Sequence, residues 1–445
     1  MMKTLHRQVL LLSTAMLAAC GGPAVSIATH SATSGPRAGD AGNAAVHPAH
    51  LWLQNGQSPD GSVTLLDATT GKTLASYPNG VASRDWSRMY VVTAQASQNL
   101  LKVVDPATGR DITVTTTDPG FALPTSGGGQ RPAGLSPSGG HLVLAGASPS
   151  TPSPSTTSRF LVYDSNHLDR APQRIALGGS FLFDGINDDG RNLYLLEDLS
   201  TPTTGGAYHV RRYDLIAGAL DPTIIVDKRT GEKSISGTAI DSVNSRDGAW
   251  QFTVYGFGQM SPSPFVHALN LNDAIAFCID LPSAPRDQVL DLLWGVAASH
   301  DGRFVYAVNS AHGSVVEMAA DSPYQTRQAT FPVPTPTSAA AWTPWTPVTV
   351  QAKRQVDGAA AISFDDHTLY SIGDAGVFVV DAARLRLTGS LLSKQALSSL
   401  ILSGDGQRLY ATSVDGAVLQ VDVSTGRWAS VTAGGAAVSV LRAQP

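Results

Sequence analysis

Charge is scarce in this chain. Only 15% of its 445 residues are Asp, Glu, Lys or Arg, too few of the charged helix formers for a coiled coil or an ion-paired helical bundle. The 30 Lys and Arg are outnumbered by 35 Asp and Glu, so the basic footprint that nucleic acid requires is missing. Cysteine is nearly absent, with Cys20 and Cys278 alone. No apolar run reaches the length of a membrane-spanning helix. Turn residues, by contrast, are plentiful without the period of a collagen: 43 glycines and 27 prolines, about one residue in six, as expected of many short strands joined by tight connections. The length suits two or three ordinary domains or one large β architecture.

The first twenty residues read as an address. Lys3 and Arg7 precede an apolar run from Val9 to Ala19, broken by Ser13 and Thr14. That run is the size of a secretory h-region. It ends in Leu17-Ala18-Ala19-Cys20, which resembles the bacterial lipobox. The resemblance implies a signal peptide over residues 1–19, with Cys20 acylated and made the mature N-terminus. It implies a protein exported and anchored by acyl chains to the outer face of the cell membrane or to the outer membrane; the alternative is an ordinary signal peptide cut near Cys20. Residues 20–48 then form the lipidated cysteine and a small, polar, Gly/Pro-interrupted tether, with a coil-like reach of roughly 30 Å. With Cys20 lipidated, Cys278 has no disulfide partner. Its setting, AIAFCIDL (274–281), reads as a strand holding a buried, inert thiol.

Residues 49–445 repeat. One signal is a polar turn opening a short strand: SRDWSRMY (83–90), SPSGGHLV (136–143), NDDGRNLY (187–194), SRDGAWQF (245–252), SHDGRFVY (299–306), SFDDHTLY (363–370) and SGDGQRLY (403–410). Asp-Gly and Gly-Gly supply the positive φ of tight hairpins. The other signal is an alternating apolar strand that usually ends in Asp: VTLLDATTG (63–71), LLKVVDPATG (100–109), FLVYDSN (160–166), HVRRYDL (209–215), GVFVVDAA (376–383) and VLQVDVSTG (418–426), with weaker copies at 264–271 and 313–319. Their alternation every 40 to 60 residues or so is the size of a four-stranded propeller blade. Seven turn signals against eight strand signals leave an unmatched strand at each end of the chain. The fold expected is therefore all-β: a single β-propeller of four-stranded blades, eight in number with seven as the alternative. The strand AAVSVLR (436–442) would join the N-terminal blade and close the ring, hiding its edges. The repeat is similar to that of YVTN and WD-repeat-like bacterial propellers and, in VTLLDATTGKTLA (63–75), to the quinoprotein type. Such a resemblance implies a fold; function must come from the site.

Chemistry is thin along the sequence. Asp67, Asp105, Asp164, Asp214, Asp381 and Asp422 recur once per repeat at a strand end, where a carboxylate accepts backbone N–H bonds across the turn. We read them as turn carboxylates. Asp184, Asn187, Asp188, Asp189 and Gly190 depart from the calcium-loop pattern because Ile186 takes a ligand place. His141, His209, His267, His300 and His367 fall in different repeats without a metal spacing. Neither a Gly-x-Ser-x-Gly elbow nor a haem-attachment motif occurs. No cofactor and no metal are expected.

Two inserts stand out. ASPSTPSPSTTS (147–158) reads as an exposed loop. FPVPTPTSAAAWTPWTPVTV (331–350) carries Trp342 and Trp345, which either form a partner surface or pack between adjacent blades. The expectation is a lipid-anchored, non-catalytic propeller that binds protein or cell-wall partners in the envelope. Its nearest analogy is the eight-bladed propeller lipoprotein of the outer-membrane barrel-assembly machinery, from which it departs in its Asp-Gly turns and unrepeated tryptophans. The alternative is a propeller enzyme, lactonase-like or quinone-dependent dehydrogenase-like, working at the central channel. The strands expected innermost, LILS (400–403), AAIS (360–363) and GVAAS (295–299), are small and apolar.

Overall fold

Strand-forming residues alternate with turn residues along the chain, and the outcome is one ring of small sheets. A computed structural model describes residues 50–56, 61–125, 132–147, 156–199, 207–256, 263–283, 288–333, 359–373, 376–432, 435 and 437–444. It is an eight-bladed β-propeller of antiparallel sheets. Cys20, Trp342 and Trp345 lie outside the described residues.

Blade 1 is assembled from both ends of the chain. Its strands run in the order Ala437–Gln444, His50–Asn55, Ser62–Asp67 and Thr73–Pro78, with His50 opposite Gln444 and Asn55 opposite Ala437. Blades 2 to 8 follow in sequence at 81–117, 121–178, 181–225, 239–280, 295–330, 360–391 and 397–430. Blade 4 carries an extra short strand, Ile235–Ser236, paired to Ala207–Asp214. Pairing of the last strand covers the edge of His50–Asn55 that the first sheet would otherwise offer to other chains.

The hydrophobic core is not in the blades but between them. Eight buried clusters each join two neighbouring blades, and together they run round the ring. Phe252 and Val266 of blade 5 meet Val305 and Val316 of blade 6, and Leu51 and Leu53 of blade 1 meet Tyr410 and Val418 of blade 8. A middle strand therefore has apolar neighbours on both faces. Trp250–Tyr255 and Phe265–Asn270 are buried throughout, whereas the outermost strand Arg110–Thr117 is exposed along most of its length. One bond also stitches blades directly: Trp52 Nε1 of blade 1 donates to the Pro106 carbonyl of blade 2 at 2.7 Å.

The Ser-x-Asp turns join the first and second strands of blades. In blade 5, Ser245 Oγ accepts from Trp250 N–H and donates to Asp247 Oδ1, which in turn accepts from Ala249 N–H. The same bonds recur about Ser83, Ser299, Ser363 and Ser403. Side chains take over the backbone groups that a tight reversal leaves unpaired. Turns of this kind join first and second strands seven times in eight blades, five as Ser-x-Asp and two as Ser136-Pro137-Ser138 and Asn187-Asp188-Asp189, because the first and second strands of blade 1 are the two ends of the chain. The strand-ending aspartates close the turns between third and fourth strands on the same face. Asp67 Oδ1 accepts from Thr69 and Thr70 N–H, Asp105 from Ala107, Asp164 from Asn166, Asp214 from Ile216 and Ala217, and Asp381 from Arg384. Bonds from Ser424 and Thr425 hold Asp422 down at about 2.

Candidate ligand-binding channel

The first strand of each blade lines the axis, and the second residue of each Ser-x-Asp turn stands at one mouth of the channel so formed. Those residues are Arg84, Pro137, Asp188, Arg246, His300, Phe364 and Gly404, the turn position that varies most from blade to blade. Several reach out to another blade. Arg84 of blade 2 donates through Nη1 to the Ser245 and Arg246 carbonyls of blade 5, at 3.2 and 2.7 Å, and so crosses the channel. Arg246 donates to the His300 carbonyl of blade 6. Asp188 Oδ1 accepts from Ser138 N–H at 2.6 Å, and the His300 ring packs on the half-exposed Phe364 at 4.7 Å.

The fourth turn position needs a left-handed backbone. Gly139, Gly190, Gly248, Gly302 and Gly406 supply it, with φ between 67° and 80°. Two turns have a side chain there instead, Trp86 at φ 55° and Asp366 at φ 59°, a conformation that costs a residue with a Cβ about 1–2 kcal/mol. Asp366 offsets that cost with its carboxylate, which accepts from the N–H groups of His300 and Asp301 at 2.6 and 2.8 Å. Trp86 makes no such bond. Its ring lies in the channel wall, with the Arg442 guanidinium 5.8 Å from its centroid.

Behind this mouth is a cavity of about 830 Å³, walled by the inner strands of blades 2 to 6, within the range of small-molecule sites. A vestibule of about 500 Å³ lies against Arg84, Asp188 and Arg246. The cavity wall includes Asp184, Ser242, Asn244 and Gln251. Asp184 sits on a β-bulge of its strand, skipped in the pairing between Phe183 and Gly185; bulges re-aim side chains in this way. Gly185 beside it has no Cβ because Gln251 Oε1 would lie 2.7 Å from one. The Gln251 amide instead donates to the Asp184 carbonyl and carboxyl, at 3.1 and 3.3 Å. Complete burial pushes the Asp184 carboxyl up to about 7.

The remaining sequence candidates are dispersed. The six turn aspartates occupy six blades and do not converge. Asn187 and Asp189 hold their own turn through Arg191 and Asn192 N–H, apart from the inner-strand Asp184. Of the described histidines, only His300 lines the cavity. Cys278 is partly buried, and that burial pushes its thiol up to about 12. Among the described residues, no group of three or more His, Cys, Asp or Glu could hold a metal ion.

No family model and no curated protein matches the sequence. Solved structures that resemble it have very different sequences. Apo AztD from Citrobacter koseri is 9% identical, with a TM-score of 0.49 over 89% of this chain and 99% of that one. The dihydro-heme d1 dehydrogenase NirN is 13% identical, with a TM-score of 0.47 over 86% of this chain and 72% of that one. Hydrazine synthase of Kuenenia stuttgartiensis is 15% identical, with a TM-score of 0.39 over 78% of this chain and 99% of that one. At these identities the likeness concerns the fold alone, so function must be argued from the channel.

Proposed function

We propose that this propeller is a non-catalytic binding protein of the cell envelope, tethered through a lipidated Cys20, that holds a small polar ligand in the mouth of its central channel. The observation that carries this reading is Arg84. Its guanidinium bridges blade 2 to blade 5 over a cavity of ligand size, and it does so through backbone carbonyls, leaving Nε and Nη2 to meet a guest. A side chain that spans a cavity and is anchored by one nitrogen can exchange carbonyls for ligand oxygens without disturbing the ring. The long connection carrying Trp342 and Trp345 joins blades 6 and 7 and is proposed as a separate partner surface.

A second reading, an enzyme at the same channel, is favoured by one group. Asp184 is a carboxylic acid tuned to about 7 in the cavity wall, and such tuning is common in general acids. Asp184→Asn separates the two, because a binding protein keeps its ligand and an enzyme loses turnover.

The test is native mass spectrometry of purified protein after exposure to a small-molecule fraction of its own envelope, followed by dialysis. A discrete adduct on the wild type that disappears in Arg84→Ala/Arg246→Ala supports the channel reading. An adduct of equal abundance in both proteins, or none in either, overturns it. Palmitate-labelling of the full chain, with Cys20→Ser as the comparison, tests the anchor: label on the wild type alone supports it, and an unlabelled wild type refutes it.

A further inference from the structure

Resting on the channel reading, we infer that the ligand is an uncharged saccharide, stacked on Trp86 and held by Arg84 and Arg246. The first argument is the conformation of Trp86. Five of the seven turns place glycine at this position, so the turn itself has no need of a ring there, although the indole also packs on the buried cluster between blades 1 and 2. The tryptophan stays in a left-handed backbone that glycine would relieve, and no hydrogen bond repays it. Strain retained at a cavity wall is a mark of function. What the indole adds is a broad, stiff apolar surface with a polar edge, backed by the Arg442 guanidinium. The C–H face of a pyranose ring is the complement of such a surface, while its hydroxyls seek donors and acceptors around the rim.

The second argument is the charge of the mouth. The vestibule sets Arg84 and Arg246 among Asp85, Asp188 and Asp247, and Asp301 beside it is paired with Arg303 at 3.0 Å, so the rim carries both signs with a slight excess of carboxylate. The carboxylates already serve the turns: Asp85 accepts from Ser87 N–H, Asp188 from Ser138, Asp247 from Ala249, Asp301 from Arg303, and Asp366 from His300. A polyanion approaching this rim is repelled by the carboxylates, and a cation entering the channel meets the guanidinium of Arg84 lying across it. A neutral guest rich in hydroxyls suffers neither penalty. It can accept from the guanidiniums and donate to the carboxylates, which keep lone pairs beyond those the turn uses. The inner wall continues this chemistry with the hydroxyl and amide groups of Ser242, Asn244 and Gln251.

Isothermal titration of the purified propeller with maltotetraose, cellotetraose and N-acetylglucosamine tetramer, each to millimolar concentration, tests the inference. A tetraglutamate and a tetralysine peptide serve as charged comparisons. The expected result is saturable binding of at least one saccharide and of neither peptide. Trp86→Gly should weaken that binding by tenfold or more in a protein that still unfolds cooperatively in urea, because the glycine suits the turn while the lost ring gives up part of the packing between blades 1 and 2. Trp86→Phe, which keeps a ring, should retain most of it. Saccharide binding that survives Trp86→Gly unchanged would overturn the inference. So would the absence of all saccharide binding. In the latter case, an envelope adduct that still depends on Arg84 and Arg246 would leave the channel reading standing with another ligand class; loss of both would end both.

Discussion

Two buried titratable groups in neighbouring blades pull the pH dependence of stability in opposite directions, and separating them gives a stringent test of the core. Burial pushes Asp184 up from 3.8 to about 7. The folded state therefore holds its proton more tightly than the unfolded chain does. Its contribution is fully present below about pH 4 and is lost as pH rises through 7. At 1.36 kcal/mol for each tenfold change in affinity, that loss is roughly 4 kcal/mol. His267, on the third strand of blade 5, is buried beside Tyr255. Burial takes it down from 6.5 to about 4, against a smaller opposing pull from Asp227. It folds as the neutral ring, so its contribution is present above pH 6.5 and is lost as pH falls through 4, by roughly 3 kcal/mol.

The two windows overlap, and the wild type should be nearly flat between pH 4 and 7 as far as these groups go. Asp184→Asn is close in shape and keeps an oxygen for the Gln251 amide. It should remove the alkaline loss and expose His267. Its urea midpoint should exceed that of the wild type at pH 8 and converge on it at pH 4, the free-energy difference between the two proteins changing by roughly 4 kcal/mol across that range. His267→Gln should do the opposite, leaving a protein most stable in acid. The turn carboxylates, held below 3.8, act equally in wild type and variant and drop out of the comparison. Urea titrations followed by tryptophan fluorescence at several pH values read the difference directly. If Asp184→Asn runs parallel to the wild type from pH 4 to 8, the carboxyl is ionised in the folded state and the argument from burial fails.

Other expectations follow from individual bonds. Ser403→Ala removes the acceptor of Arg408 N–H and the donor to Asp405; it should cost about 1–2 kcal/mol in urea unfolding, the scale of a buried group left unpaired. Trp52→Phe loses the interblade bond to Pro106 together with part of a fully buried ring, and should cost about 2–4 kcal/mol by the same measurement. Deleting residues 437–445 strips the His50–Asn55 strand of its partner. Size-exclusion chromatography should then show association through the bared edge, and a monodisperse monomer of unchanged melting temperature would refute the closure argument. Cys278, its thiol pushed up to about 12, should resist iodoacetamide at pH 8 in the folded protein and label readily in urea.

The scaffold was legible in the sequence because each blade needs the same few bonds. Ser-x-Asp turns and strand-ending aspartates recur for their hydrogen bonds, and the mismatch of seven turns with eight strands marks the blade that the chain ends share. The innermost strands of blades 6, 7 and 8 were likewise readable as short apolar segments. The channel was less legible. Asp184 falls on an inner strand, but a bulge decides where it points, and a bulge leaves no period-two signature. Arg84 and Arg246 look like ordinary turn residues until the ring carries one blade opposite another. One signal was open to reading in advance: SRDW at 83–86 departs from Ser-x-Asp-Gly at the position that demands positive φ. A tryptophan there is costly enough to call for a reason. The histidines misdirect by contrast, since one per repeat suggests convergence where their strand positions differ.

A propeller of this kind divides its residues between two tasks, and the division explains why composition says so little about function. The first and third positions of each Ser-x-Asp turn are spent on closing the turn. The second position makes no bond that its own turn needs, so it is available to face a neighbour or a guest, and here it holds arginine twice, histidine, phenylalanine, aspartate, proline and glycine. The mouth is thus the part of this face where sequence can change without unmaking the ring. The first strand to enter the propeller does so on the same face, with His50 opposite both Asp67 and Gln444. The connections between second and third strands, and between one blade and the next, leave from the opposite face, where the segment bearing Trp342 and Trp345 departs after Phe331 and returns at Ala359. A ligand at the mouth and a partner at those tryptophans are proposed as separate sites. Saccharide binding that is unchanged in Trp342→Ala/Trp345→Ala is the result expected of two separate sites; mutual exclusion of the two would refute it.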